Sequence, residues 1–71
     1  MAMFDTDEFS REIRASRARL DLTQEQLADA IGVNRRVIGE LERGKGSVRL
    51  EIALAAARAL GLDVELRQRA P

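Results

Sequence analysis

Five polar residues, Asn34, Arg35, Arg36, Glu40 and Arg43, alternate with Val37, Ile38 and Leu41 in one short stretch. At helical spacing the three apolar residues face inward. Asn34, Arg35, Arg36, Gly39, Glu40 and Arg43 then face outward. Such a face offers hydrogen bonds to base edges. Arginine can pair with guanine through two bonds and asparagine with adenine, while glutamate accepts from cytosine. The same residues would also serve as a solvated surface with an Arg36–Glu40 pair at i, i+4. The elements around the stretch must decide between the two.

Catalytic chemistry finds little to use. The 71 residues contain no His and no Cys. That excludes a disulfide, a Cys/His zinc site and histidine-based catalysis. Gly44-Lys45-Gly46-Ser47 lacks the remaining spacing of a phosphate-binding P-loop, and no paired carboxylates stand out. No enzyme, cofactor or metal is expected.

Two short helices with a glycine turn between them would carry the outward face. Thr23 is placed to cap the first, and Gln26 three residues on completes a capping box. Leu22 and Leu27 stand where a hydrophobic staple belongs. Gly32 ends this helix at a position that favours a left-handed residue. Asn34 caps the second helix, with Val33 and Ile38 as its staple. The spacing predicts helices over residues 24–31 and 35–43, a pair that suits reading of a DNA major groove. An earlier helix starts near Asp5, with Glu8 completing a capping box and Phe4 and Phe9 a staple; its apolar face is Phe9, Ile13 and Leu20. An alanine-rich helix over 50–60 ends at Gly61, with Arg49 standing where a Ser or Thr cap would be usual.

The ordered set Thr23-Gln24, Leu27-Ala28, Gly32-Val33, Leu41-Glu42 and Gly44-Lys45 resembles the repressor family of phage Cro and lambda-type repressors (the XRE type), over about residues 9 to 61. The resemblance implies an all-α, four-helix, lambda-repressor-like domain that binds double-stranded operator DNA. It implies that Asn34, Arg35, Arg36 and Glu40 touch bases. Gln24, as first residue of its helix, can meet a phosphate with its side chain and nearby N–H groups, and the family uses the matching glutamine this way. Arg43, Lys45, Ser47 and Arg49, around the next loop, are candidates for phosphate contacts that position without reading sequence. They would otherwise be ordinary surface charge, and Ser47 also suits a turn or cap.

Arg17 lies four residues after Ile13 on the apolar face of the first helix, and Glu42 lies four after Ile38. Two opposite charges on inward faces are expected to meet, because an unpaired buried charge is costly. The resemblance implies the same pairing. The alternative is that both reach out to solvent.

Leu62-Asp63-Val64-Glu65-Leu66-Arg67-Gln68-Arg69 alternates apolar and charged, the period of a strand. A lone strand leaves its backbone groups unsatisfied, so residues 62–69 are expected to pair with the same segment of a second protomer. Leu62, Val64 and Leu66 would then cover a dimer core. A short fifth helix is the other reading. A single domain spanning residues 1–71 has a small core, and with disulfides and metals excluded, oligomerisation is the remaining reinforcement. A repressor domain of this size with such a tail resembles antitoxins of HipB type, which implies a kinase toxin of HipA type as a protein partner; the alternatives are a stand-alone phage- or plasmid-type repressor and a protein-interaction module that has lost DNA binding.

The formal net charge is zero. Strong DNA binders are commonly basic, but the charge here is zoned. Residues 1–10 carry three acids and no base, residues 11–50 carry nine bases against six acids, and residues 51–71 carry three of each. Local phosphate contacts supply much of DNA affinity, so a zoned surface can serve. No apolar run approaches the ~20 residues of a membrane span, and no signal pattern precedes the domain. A cytoplasmic, nucleoid-associated protein is expected.

Overall fold

The structure, a computed structural model, describes residues 6–44, 47–66 and 68. Four helices follow in order: α1 Thr6–Arg19, α2 Gln24–Ile31, α3 Arg35–Glu42 and α4 Leu50–Ala59. α2 packs against both α3 and α4, and α1 packs against α3. Ile13, Leu27, Ala28, Ile38, Leu41, Ala56, Ala57 and Leu60 form the core. Each large aliphatic side chain buried there contributes about 1.5–3 kcal/mol. The small alanines of α4 let its backbone close on α2.

Local signals fix the helix ends. Thr23 and Gln26 form a reciprocal capping box: the Gln26 amide donates to Thr23 Oγ1 at 3.0 Å, and the Thr23 amide donates to Gln26 Oε1 at 2.8 Å. At the start of α3, Asn34 Oδ1 accepts from the Arg36 amide at 2.8 Å. Arg49 precedes α4 without a side-chain cap bond. Its Nη1 donates instead to Glu51 Oε1 at 2.9 Å. Gly32 at φ 74° closes α2, with the Val33 amide bonded back to Ala28 O at 3.0 Å. α1 ends the same way without a glycine: Asp21 takes φ 58°, and the Leu22 amide reaches Arg17 O at 3.1 Å. Aspartate tolerates the left-handed region better than most residues, and these 6→1 bonds satisfy carbonyls that a helix end would leave unpaired.

The structure departs from several expectations. Leu20 is 53% exposed, because α1 stops at Arg19 and Leu20 belongs to the turn. The buried face of α1 is instead Ser10, Ile13 and Ser16, with Phe9 packed at its edge. Ser10 lies against the core because its hydroxyl donates to Leu41 O at 2.6 Å. α3 and α4 each end one residue earlier than the spacing predicted, with Arg43 and Leu60 as the caps. Phe4 and Asp5, the expected staple and start of the first helix, lie outside the described residues.

After Gly61, Leu62 returns to the core edge, while Val64 and Leu66 are exposed, Leu66 almost fully. Residues 62–66 belong to neither a helix nor a strand, so the fifth-helix reading fails for them. The strand expected over 62–69 does not form among the described residues; Arg67 and Arg69 lie outside them. A strand needs a neighbouring backbone to bond with, and none of the four helices supplies one.

Candidate nucleic-acid interface

The short turn Gly32–Asn34 joins α2 to α3 and fixes how α3 is presented. Ile38 is fully buried and Leu41 nearly so, while Leu27 and Ala28 of α2 pack into the same core. Arg35 and Arg36, in the first turn of α3, are left exposed. Glu40, one turn on, is half-buried, and Arg43 is exposed. Asn34 is exposed, but its side-chain oxygen is engaged by the Arg36 amide. Its NH₂ group remains the donor that can reach out.

Gly39 departs from the expected outward face: it is buried. A Cβ there would stand 3.4 Å from Arg43 Nη1 and 3.9 Å from Gln24 Oε1. The two polar side chains lie over the glycine, and the missing side chain brings both close to the α3 backbone.

Behind this face lies a polar cluster. Arg17 Nε donates to Glu42 Oε2 at 2.6 Å, and Arg17 Nη2 donates to Glu42 Oε1 at 3.0 Å. The two-pronged geometry suits a planar guanidinium. Arg17 Nη1 donates further to Leu22 O at 2.7 Å, tying α1 to the turn before α2. Gln24 Nε2 donates to Glu42 Oε1 at 3.1 Å, so the first residue of α2 joins the cluster. The side chain of Glu42 is 3% exposed and that of Arg17 18%. Burial alone would push the Glu42 carboxyl up. The bonds from Arg17 and Gln24, with the charges of Arg17 and Arg14, outweigh it and hold Glu42 below the usual carboxylate range. The bond to Glu42 likewise raises Arg17 against the effect of its burial. Sequence spacing pointed to Arg17 and Glu42. It missed Gln24 as a third member, since no periodicity links position 24 to position 42, and it missed Ser10, whose small polar side chain carries no core signal.

Four of the five residues expected to contact phosphates are among the described residues. Gln24 is half-buried at the start of α2, and Arg43 caps α3. Ser47 and Arg49 are exposed before α4, and Arg49 forms an open surface pair with Glu51. Lys45 lies outside the described residues. Among the described residues no group of His, Cys, Asp and Glu could hold a metal ion, and no helix is long and apolar enough to cross a membrane.

Residues 13–66 match the helix-turn-helix family. A relative from Methanothermobacter thermautotrophicus, described as an uncharacterized HTH-type transcriptional regulator, is 51% identical over 51 residues, which is 72% of this chain and 74% of the relative. One from Archaeoglobus fulgidus, described in the same words, is 40% identical over 53 residues, 75% of each chain. Among solved structures, one described as "HipB-O4 20mer complex" superposes with a TM-score of 0.85 over 99% of both chains at 18% identity. Another, "Structure of HipA-HipB-O2-O3 complex", matches with the same score, coverage and identity. At that identity the likeness is one of fold. By sequence and by fold alike, the chain belongs to the helix-turn-helix family, in its XRE-type branch.

Proposed function

We propose that the chain is a sequence-specific DNA-binding transcriptional repressor acting as a dimer. The observation that carries this reading is the exposure of Arg35 and Arg36 in the first turn of α3, on a helix whose other side is locked into the core. α3 enters the major groove, Arg35 and Arg36 reach base edges, and Asn34 and Glu40 flank them. Gln24, Arg43, Lys45, Ser47 and Arg49 take backbone phosphates and fix the register. Relatives described as transcriptional regulators support the class of activity.

Dimerisation runs through the tail. Val64 and Leu66 are exposed apolar side chains beside the half-buried Leu62. Antiparallel pairing of two such tails covers them and satisfies their backbones. The two protomers then address half-sites about one helical turn apart, ~34 Å, or a multiple of it.

The module is further read as the autoregulating antitoxin of a kinase toxin of HipA type. Support comes from the likeness, over 99% of both chains, to structures described as "HipB-O4 20mer complex" and "Structure of HipA-HipB-O2-O3 complex". A second reading, a regulator acting without a toxin, is favoured by relatives of 40–51% identity described only as transcriptional regulators. Co-purification of a kinase-sized partner separates the two.

The test is binding to the chain's own upstream DNA at two salt concentrations. Replacing Arg35 and Arg36 with Ala should cost about 1–3 kcal/mol per base contact and relax specificity. Undiminished operator affinity in the double variant would remove α3 as the reader.

A further inference from the structure

Between the N-terminal half of α1 and the end of α3 lies a solvent-open cleft of about 390 Å³, lined by Asp7, Ser10, Arg11, Arg14, Glu42 and Arg43. Two of these close off the end of α3: Ser10 Oγ donates to Leu41 O at 2.6 Å and Arg14 Nη1 to Glu42 O at 3.3 Å. The negative end of the α3 dipole is thereby capped from α1. The Glu42 carboxylate is matched by Arg17. The charged lining is Arg11, Arg14 and Arg43 against Asp7 and the Arg17-paired Glu42, a local positive excess in a chain whose net charge is zero. Neither Arg11 nor Arg43 forms a salt bridge among the described residues.

We infer that this cleft is a phosphate-binding site for the DNA backbone, with Arg11 and Arg14 of α1 as ligands that extend the contact surface beyond the helix-turn-helix. Arg43 makes the connection. Arg43 is one of the residues that line the cleft, and its Nη1 lies over Gly39, where the Gln24 side chain also approaches. Arg43 thereby links the first residue of α2 and the end of α3 to the polar side chains of α1. A phosphodiester oxygen suits such a site because guanidinium groups donate several bonds to one anion in a fixed plane. The inference rests on the DNA-binding reading above and adds to it which part of α1 meets the backbone.

The experiment is the salt dependence of binding to a short mixed-sequence duplex between about 50 and 200 mM salt. The full chain is compared with Arg11→Gln/Arg14→Gln, Arg11→Lys/Arg14→Lys and Arg58→Gln, the last removing one charge from α4, with thermal melts alongside. Loss of one phosphate contact should make the slope of log affinity against log salt shallower by about 0.9. The Gln pair should show this loss equally on any sequence, the Lys pair should recover most of it, and Arg58→Gln should match the wild type. Arg11→Gln alone, an exposed change outside the core, keeps the test open if the pair fails to fold, and it should also flatten the slope. A wild-type protein that binds with a clear salt slope, and Gln variants that keep it, would overturn the inference and leave the DNA reading intact. A folded wild type that binds no duplex would overturn both. Inorganic phosphate titrated into the free protein distinguishes the source: saturation of the Arg11 and Arg14 side-chain signals below millimolar phosphate would mean a free-anion site and overturn the assignment to DNA.

Discussion

Gln24 Nε2 donates to Glu42 Oε1 at 3.1 Å, so the first residue of α2 is held by the last residue of α3. The same carboxylate takes two bonds from Arg17 of α1. Three helices therefore meet at one side chain, and the angle between α2 and α3 depends on it as well as on the core.

Glu42→Gln should destabilise the fold by roughly 2–3 kcal/mol in denaturant melts at neutral pH. A fully buried pair broken at one partner costs about 3–5 kcal/mol; Arg17 keeps some water, which lowers the figure. The pH dependence has a fixed sign. Glu42 titrates below its usual value near 4.5 when folded, so its contribution is complete above that value and is lost as pH falls through the depressed folded pKa. The gap between wild type and Glu42→Gln should narrow on acidification; a gap that widened would contradict the assignment.

Gly39→Ala should stabilise the protein by up to about 1 kcal/mol, since glycine in a helix interior costs that much relative to alanine. The new methyl would meet Arg43 Nη1 at 3.4 Å and Gln24 Oε1 at 3.9 Å, which is ordinary contact. Gly39→Leu has no such room and should displace Arg43, weakening DNA binding while the melting temperature changes less. Both are read by thermal melts and duplex titration.

Thr23→Ala removes one half of the capping box of α2 and should lower stability by about 1 kcal/mol. Thr23→Ser keeps the acceptor and should recover most of it. Equal melts for Ala and Ser would mean that the box, formed by bonds of 3.0 and 2.8 Å, contributes nothing.

Val64→Asp/Leu66→Asp should give a monomer by sedimentation with little change in the helical circular dichroism signal, because both side chains are exposed in the protomer. Truncation after Leu62 should act alike. Removing Leu62 as well would also strip apolar packing from the core edge, so it is the poorer test. A dimer that survives the double substitution would exclude the tail as its contact.

The helix-turn-helix was legible because its determinants are local. Thr23, Gln26, Gly32 and Asn34 each act within a few residues, and the bounds of α2 read from spacing match the structure. The C-terminal end of α1 was harder. Asp21 takes a left-handed conformation that usually marks a glycine, so the stop at Arg19 left no clear sign and Leu20 was assigned to the core. Gly39 was misplaced for a related reason: helical spacing gives an angle around the axis, whereas its burial comes from the side chains of Gln24 and Arg43 folding over it. The tail alternates like a strand, but its backbone needs a second backbone to bond with, and the four helices of one protomer offer none.

Asn34 carries a consequence of its own. Its side-chain oxygen accepts from the Arg36 amide, and a two-bond contact with adenine needs that same oxygen. Reading an adenine would therefore load that oxygen with a second bond, on its other lone pair, in competition with the cap of α3. In that complex the shared oxygen would hold the Arg36 amide less firmly, so its hydrogen exchange would slow less than that of other amides in the interface. Hydrogen exchange at a single backbone position would thus test whether Asn34 contacts a base through its oxygen as well as its NH₂ group.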